Sequence, residues 1–446
     1  MKCAVITSVG PGHKQLLEDS CRPSVTTAQN YNAGPFTVIR HIVMDDTKGL
    51  HGRSKRRNEA VQQALDDGYE WLFFLDADDV MTPNAFDRFG HCLEAEPALD
   101  VIWGLICEFD GDEEPQLRPK QAESLDSREA FLSIEPFLSV QIGGFMRTKC
   151  VARFGFDEAM DAGEDFKLYY QLWENYHCAK RPEIFFINRR GAHSTGPRAA
   201  TGKDWSISVS SQWAEQLTKT PIWARVATAG SDVKMLIKNP NDLIQRTHLS
   251  GQFFEADSLE KLHRLVKSPA PHILEVGANI GNHVVWYAKN LNAARIYPVE
   301  PNPSALEILR ENISANRLDH CIDTRGMGFG AGKSSGRFRV KTDDINNLGA
   351  TRLVEDYAGE IETQTLDMLM GDDNVDFIKI DAEGMELDVL EGAAALIARD
   401  KPVIWVEVLR QNQMGFAQNW CRAAGYRIAD STAYVNTIDY FAVPRN

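Results

Sequence analysis

The stretch His272-Ile-Leu-Glu-Val-Gly-Ala-Asn-Ile-Gly281 limits what this chain can fold into more than any other. His272 to Val276 reads as a buried parallel strand that runs into a glycine turn. A helix is expected from near Asn282, with Val284, Val285, Tyr287 and Ala288 along one face. Gly277 and Gly281 let the backbone turn sharply and approach a ligand. The helix N-terminus adds free amides and the positive end of the helix dipole. The spacing is Gly-x-Asn-x-Gly, not the Gly-x-Gly-x-x-Gly of dinucleotide sites, which argues against a pyrophosphate ligand. A second strand, Ala294 to Val299, ends on Glu300, and an acid at that strand end commonly takes a ribose diol. Together these features fit an adenosine without phosphate, such as S-adenosylmethionine. The plainer alternative is a doubly wound domain with a tight turn and no such ligand.

At 446 residues the chain exceeds one ordinary core, so two or three domains are expected. Its net charge of −15 weighs against a nucleic-acid-binding surface, although a metal or a local basic patch would still admit anionic substrates. Eight cysteines without a Cys-x-x-Cys pair read as free thiols in a reducing, cytoplasmic compartment. Met1 to Gly12 looks like a first strand and not a signal peptide. No apolar stretch approaches the roughly 18 residues that suggest a membrane span, and a lipid-linked acceptor reached peripherally at the membrane surface stays compatible with that. Oligomeric state is not readable.

In the N-terminal half, Cys3 to Val9, Phe36 to Met44 and Trp71 to Leu75 read as strands. Arg53 to Asp67 reads as a helix, and another is expected after Thr82-Pro83. Alternating strands and helices predict a parallel sheet covered on both faces. Asp45 and Asp46 end the second strand, and Asp76 and Asp78 follow the third, along the edge where such sheets bind ligands. Four carboxylates there repel one another unless a divalent cation or hydrogen-bond donors join them, and oxygen ligands suit Mg²⁺ or Mn²⁺. Alternatively these acids cap the helices that follow, as Asp79 or Thr82 would.

Several motifs, taken in order, resemble the family-two glycosyltransferases of GT-A fold over roughly residues 1–200. They are Asp45-Asp46, Arg57-Asn58, Phe74-Leu-Asp-Ala-Asp-Asp79, Gly143-Gly144, Phe154-Gly-Phe-Asp-Glu158 and Ala162-Gly-Glu-Asp165. The resemblance implies a nucleotide-sugar donor held by Asp45, Asp46, Arg57 and Asp76, and a metal on Asp76 and Asp78. It implies Asp165 as the general base, with Glu164 beside it. His193 is a third candidate metal ligand or a solvated loop residue; Arg189 and Arg190 either meet the diphosphate or sit in solvent. Glu164 and Asp165 also read as ordinary acids at a helix start. Glycosyl transfer needs a neutralised diphosphate leaving group and a carboxylate to take the acceptor proton, which suits these residue types. The loop Ser8-Val-Gly-Pro-Gly-His13 departs from the family pattern. No membrane helix of the processive relatives is seen, so single addition is expected.

Thr220-Pro221 is the expected boundary, giving domains at 1–220 and 221–446. Beyond it, further strands are expected at Ile322 to Phe329, Val375 to Ile380 and Pro402 to Val408, with a helix from Leu387 to Arg399 and a closing antiparallel pair. Glu275-Val-Gly-Ala-Asn-Ile-Gly281, Val299-Glu-Pro-Asn-Pro303, Thr365-Leu-Asp367, Ile378-Lys-Ile-Asp-Ala-Glu-Gly-Met-Glu386 and Leu390-Glu-Gly392 resemble the FkbM-type S-adenosylmethionine-dependent methyltransferases. The resemblance implies a class I, Rossmann-like fold. It places the cofactor on Glu275, Gly277, Asn279, Gly281 and Glu300, and it implies O-methylation of a sugar or similar hydroxyl. Asp381 and Glu383, with Glu386, cluster at a strand-to-helix junction. One of them is a candidate base, two would suit a metal, or all serve the helix N-terminus. His283 is a second candidate base, though a helix-surface position is the simpler expectation.

The reading is therefore an α/β chain of two domains, one transferring a sugar to a glycan, lipid-linked or small-molecule hydroxyl acceptor and one O-methylating a sugar hydroxyl. The alternative is a single active transferase joined to a binding or scaffold module.

Overall fold

The computed structural model describes residues 1–110, 113–190, 202–228, 233–342 and 348–445. The chain divides into two units, Met1–Ile222 and Trp223–Asn446, and both are α/β.

In the first unit the apolar runs form a six-stranded sheet, in the order Val38–Asp45, Lys2–Val9, Trp71–Phe74, Gly144–Arg147, Val101–Trp103 and Cys178–Lys180. The first three strands are parallel, with Cys3 opposite both Ile39 and Trp71. The all-parallel expectation fails at Gly144–Arg147, which runs antiparallel to both neighbours. Gly143, just before it, and Gly144, its first residue, lie against the Phe186 and Trp103 rings, where no side chain would fit. Phe36, Phe73, Phe86, Phe89 and Phe145 stack into the buried core on one face of the sheet. A second sheet joins Val80–Met81, Phe186–Arg190, Cys107–Asp110 and Gln116–Leu117.

At the start of the second unit a two-stranded sheet joins Ile222–Val226 and Val233–Ile237, whose Val226, Val233 and Met235 enter its core. Its main sheet runs Arg295–Val299, His272–Val276, Phe377–Ile380, Val403–Leu409, Thr437–Pro444 and Tyr426–Ala433. The first four strands are parallel, and the last two form the antiparallel closing pair. Apolar clusters cover both faces. The order reverses between His272–Val276 and Phe377–Ile380, so the ligand edge of a doubly wound sheet falls there.

Two expected elements are broken. Ile322 to Phe329 is not a continuous strand: Ile322 and Met327 each make a single bridge, with a 3₁₀ turn, Thr324–Gly326, between them. The helix expected from Leu387 to Arg399 is two, Glu386–Glu391 and Ala394–Asp400. The Asp367 carboxylate accepts the Ala395 and Leu396 N–H groups at 3.0 and 2.8 Å and so caps the second helix separately. No helix among the described residues is long and apolar enough to cross a membrane. All eight cysteines are buried and unpaired.

Candidate functional site

In the second unit the glycine turn closes over the sheet edge. Gly277 has φ +80° and donates its N–H to the Val299 carbonyl at 2.9 Å. A Cβ on Gly277 would lie 2.0 Å from the Asp381 carbonyl oxygen, so only glycine lets these two strand ends meet. Gly281, at φ +86°, precedes the helix Asn282–Asn290. Asn279 is also left-handed, at φ +47°, and points its N–H at Glu300.

Glu300 is buried at the end of Arg295–Val299. Its Oε2 accepts the Asn279 N–H at 2.7 Å and its Oε1 the Asn302 N–H at 2.7 Å. Burial pushes its carboxyl up to about 7 despite those bonds. Gly277, Asn279, Glu300, Asp381 and Glu383 all line one cavity of about 260 Å³. The strand-end acid, the left-handed turn and the enclosed volume fit an adenosine-bearing cofactor: Glu300 would face the ribose, and the helix start would face the polar end.

Glu275 and Gly281 do not line that cavity. Glu275 is fully buried, and its Oε1 lies 3.0 Å from His283 Nδ1. The expected surface position of His283 is corrected: it is buried, and its Nε2 lies 3.1 Å from Glu255 Oε2. Burial alone would lower the imidazole, but the bonds to Glu255 and Glu275 outweigh it and hold His283 above its ordinary value. The amphipathic pattern concealed this, because His283 is polar but turned towards the sheet.

Lys379, inside the strand Phe377–Ile380, donates to Asp381 Oδ2 at 3.0 Å and lies 5.1 Å from the Trp405 ring centre. Burial pulls its ammonium down, and Asp381, Glu255, Glu275 and Glu407 more than restore it. Glu383 sits at φ +49°, and burial with Asp381 and Glu386 pushes its carboxyl up to about 7. Glu386 turns back to accept the Gly384 N–H at 2.5 Å. Sequence reasoning missed Glu255, Lys379, Glu407 and Asp439. A signal existed for three of them. Ile378-Lys-Ile380, Val406-Glu-Val408 and Ile438-Asp-Tyr440 each place one charge inside a buried apolar strand, where it must find partners.

In the first unit the motifs converge through Arg57, which is buried on the helix Arg53–Asp66. Its Nη2 pairs with Asp76 Oδ1 at 2.6 Å and its Nη1 lies 3.7 Å from Glu164. Arg53 pairs with Glu164 at 2.5 Å. Asn58 binds the Phe156 backbone on both sides, at 2.9 and 2.8 Å, tying that helix to the Phe154–Glu158 motif. Asp165 lies in the first turn of the helix Glu164–Asn175, and burial followed by Glu164 pushes its carboxyl up to about 6.

The acids after the third strand divide their tasks. Asp79 is fully buried and accepts from Asn188 and the Arg189 N–H at 2.9 and 3.0 Å, so it anchors the second sheet. Asp78 is raised by burial and by its neighbour Asp76, while Asp76 is held by Arg57. That donor set fits one hard divalent cation on Asp76 and Asp78. Asp46 accepts from the backbone of Leu50, His51 and Gly52 at 2.8–3.1 Å, so it closes its own loop. Asp45 is exposed and accepts the Thr47 N–H at 2.8 Å, a bond that lowers its carboxyl. Arg190 pairs with Glu108 at 2.7 Å, and Arg189 donates to the Asp78 carbonyl at 3.3 Å. His193 lies outside the described residues.

The second unit therefore has the doubly wound sheet, glycine turn and strand-end acids of a class I methyltransferase. Its residues 275–428 match the family model of the methyltransferase FkbM domain. No curated protein matches the sequence. Among solved structures, S. aureus TarS 1–349 in complex with UDP-GlcNAc is 15% identical, with 49% of this chain and 67% of that one covered and a TM-score of 0.38. Against S. aureus TarS the identity is 16% and the TM-score 0.35, and the match spans 49% of this chain but 40% of that one. M. jannaschii TYW2 in complex with AdoMet is 14% identical, with 51% and 87% covered and a TM-score of 0.29.

Proposed function

We propose that the chain is a bifunctional cytoplasmic transferase. Residues 1–220 pass a sugar from a nucleotide sugar to a glycan or similar hydroxyl acceptor, and residues 221–446 O-methylate a sugar hydroxyl. The observation that carries the reading is the single cavity on which Gly277, Asn279, Glu300, Asp381 and Glu383 converge, within the stretch that matches the FkbM domain. S-adenosylmethionine, when bound, supplies an electrophilic methyl on a sulfonium. Glu300 holds the ribose, and the turn at Gly277 leaves room for the cofactor. Asp381, tied to Lys379, and Glu383 border the acceptor end, and positioning supplies most of the rate.

In the first unit, Asp76 and Asp78 would hold Mn²⁺ or Mg²⁺, which neutralises a diphosphate leaving group. Arg57 fixes Asp76, and Arg53 with Arg57 fixes Glu164. Asp165, whose carboxyl burial and Glu164 push up to about 6, is suited to accept the acceptor's proton.

The test is thermal shift of the full chain with S-adenosylhomocysteine and with uridine or guanosine diphosphate, with and without Mn²⁺. Shifts with both ligand classes, the diphosphate one requiring metal, are expected. A shift with one class alone refutes the bifunctional reading and leaves the other half a binding or scaffold module.

A further inference from the structure

Glu407 and Asp439 stand directly opposite each other on the antiparallel strands Val403–Leu409 and Thr437–Pro444. Like charges facing across a strand pair repel, and both lie in the interior. Asp439 has no exposed surface, while Glu407 reaches the cavity wall. Glu255, from the turn before the helix Ala256–Leu265, brings a carboxylate oxygen within 4.8 Å of one from each of them. The nearby cations are engaged: Lys379 with Asp381, and His283 with Glu255 and Glu275. The other polar neighbours are neutral. Ser258 donates to Asp439 Oδ2 at 3.3 Å, Asp439 Oδ1 has no hydrogen-bond partner, and Tyr434 borders the same cavity. Carboxylates this close do not all ionise without a counter-charge.

We propose that Glu407 accepts the proton of the methyl-accepting hydroxyl, and that Asp439 is its positioning partner, the two sharing one proton until a sulfonium cation enters the cavity. This rests on the methyltransferase reading of the second unit. Of the other acids, Asp381 is tied to Lys379, Glu300 to two backbone N–H groups, Glu255 to His283, and Glu275 to His283 away from the cavity, which leaves Glu383 as the rival base on the cavity wall. Burial and Asp381 push Glu407 up to about 8, and burial and Glu255 push Asp439 up to about 7, so near neutrality the pair retains a proton. A positive charge arriving in the cavity favours the ionised form and expels that proton. Glu407 is then a carboxylate of high proton affinity, as a general base near neutral pH requires. In the transfer the acceptor oxygen bonds the methyl carbon, the S–C electron pair returns to sulfur, and the hydroxyl proton ends on Glu407.

The test is isothermal titration calorimetry of the full chain near neutral pH, in two buffers of different protonation enthalpy. S-adenosylmethionine is compared with uncharged-sulfur S-adenosylhomocysteine. S-adenosylmethionine should release about one proton more per site than S-adenosylhomocysteine. Glu407→Gln and Asp439→Asn should each abolish that difference while still binding S-adenosylhomocysteine, and Glu383→Gln should keep it. Equal release by the two ligands in the native chain overturns the proposal, whatever the variants do. Release that survives Glu407→Gln, or that vanishes in Glu383→Gln instead, also overturns it. So does Mn²⁺ binding at a site lost in Glu407→Gln, which would make the cluster a cation site. Failure of both ligands to bind counts against the methyltransferase reading itself and is seen separately.

Discussion

Glu300→Gln isolates the acceptor role of one buried carboxylate with almost no change in volume. In the native chain each Glu300 oxygen accepts a backbone N–H at 2.7 Å, from Asn279 and from Asn302. A Gln amide nitrogen cannot accept, so one of those N–H groups loses its partner and one contact to a ribose hydroxyl is lost. A hydrogen bond to a charged group is worth ~1.5–3 kcal/mol, so the Kd for S-adenosylhomocysteine should rise about 10- to 150-fold. The pH dependence has a defined sign. Burial pushes the carboxyl up to about 7, so in the native protein affinity should fall as pH drops through that value, while the variant stays flat. The fold responds in the opposite direction. A carboxyl raised in the native state disfavours folding when ionised, so this group's penalty shrinks as pH falls through about 7. Calorimetric titration of both proteins across that range measures the binding effect, and urea unfolding over the same range measures the effect on the fold. A variant that binds within about twofold of native, with the same pH dependence, would refute the ribose assignment.

Gly277→Ala would force a Cβ to 2.0 Å from the Asp381 carbonyl at positive φ. Unfolding of the second unit should become easier by ~2–5 kcal/mol, read as an earlier urea transition. Lys379→Met strands Asp381 without its cation, at a cost of ~3–5 kcal/mol that should shrink at acid pH as the carboxyl protonates. Asp78→Asn should abolish the Mn²⁺-dependent thermal shift with uridine diphosphate and leave the S-adenosylhomocysteine shift unchanged.

The strands that end on acids were readable, because an apolar run stopped by Glu300, Asp76 or Asp381 marks both an element and an edge. The antiparallel strand Gly144–Arg147 was not, since strand direction depends on how a connection returns and not on local pattern. Asp46 looked like a ligand residue because its place in the chain resembles one; that it closes its own loop depends on the path of Leu50 to Gly52. Glu407 and Asp439 are 32 positions apart and meet only because the last strand returns antiparallel, so no local window joins them. His283 was misplaced because helical periodicity treats a polar residue as outward-facing, whereas two buried glutamates hold it inward.

The buried thiols carry a practical consequence. Because no cysteine is exposed in either unit, an alkylating reagent can react only when a segment opens. Cys321 and Cys421 then act as clocks for the second unit, and Cys3, Cys21, Cys92, Cys107, Cys150 and Cys178 as clocks for the first. Peptide-resolved labelling times would report how each half breathes without any engineered probe. A ligand that slows labelling at Cys321 and Cys421 alone would identify the half it occupies before any product is known.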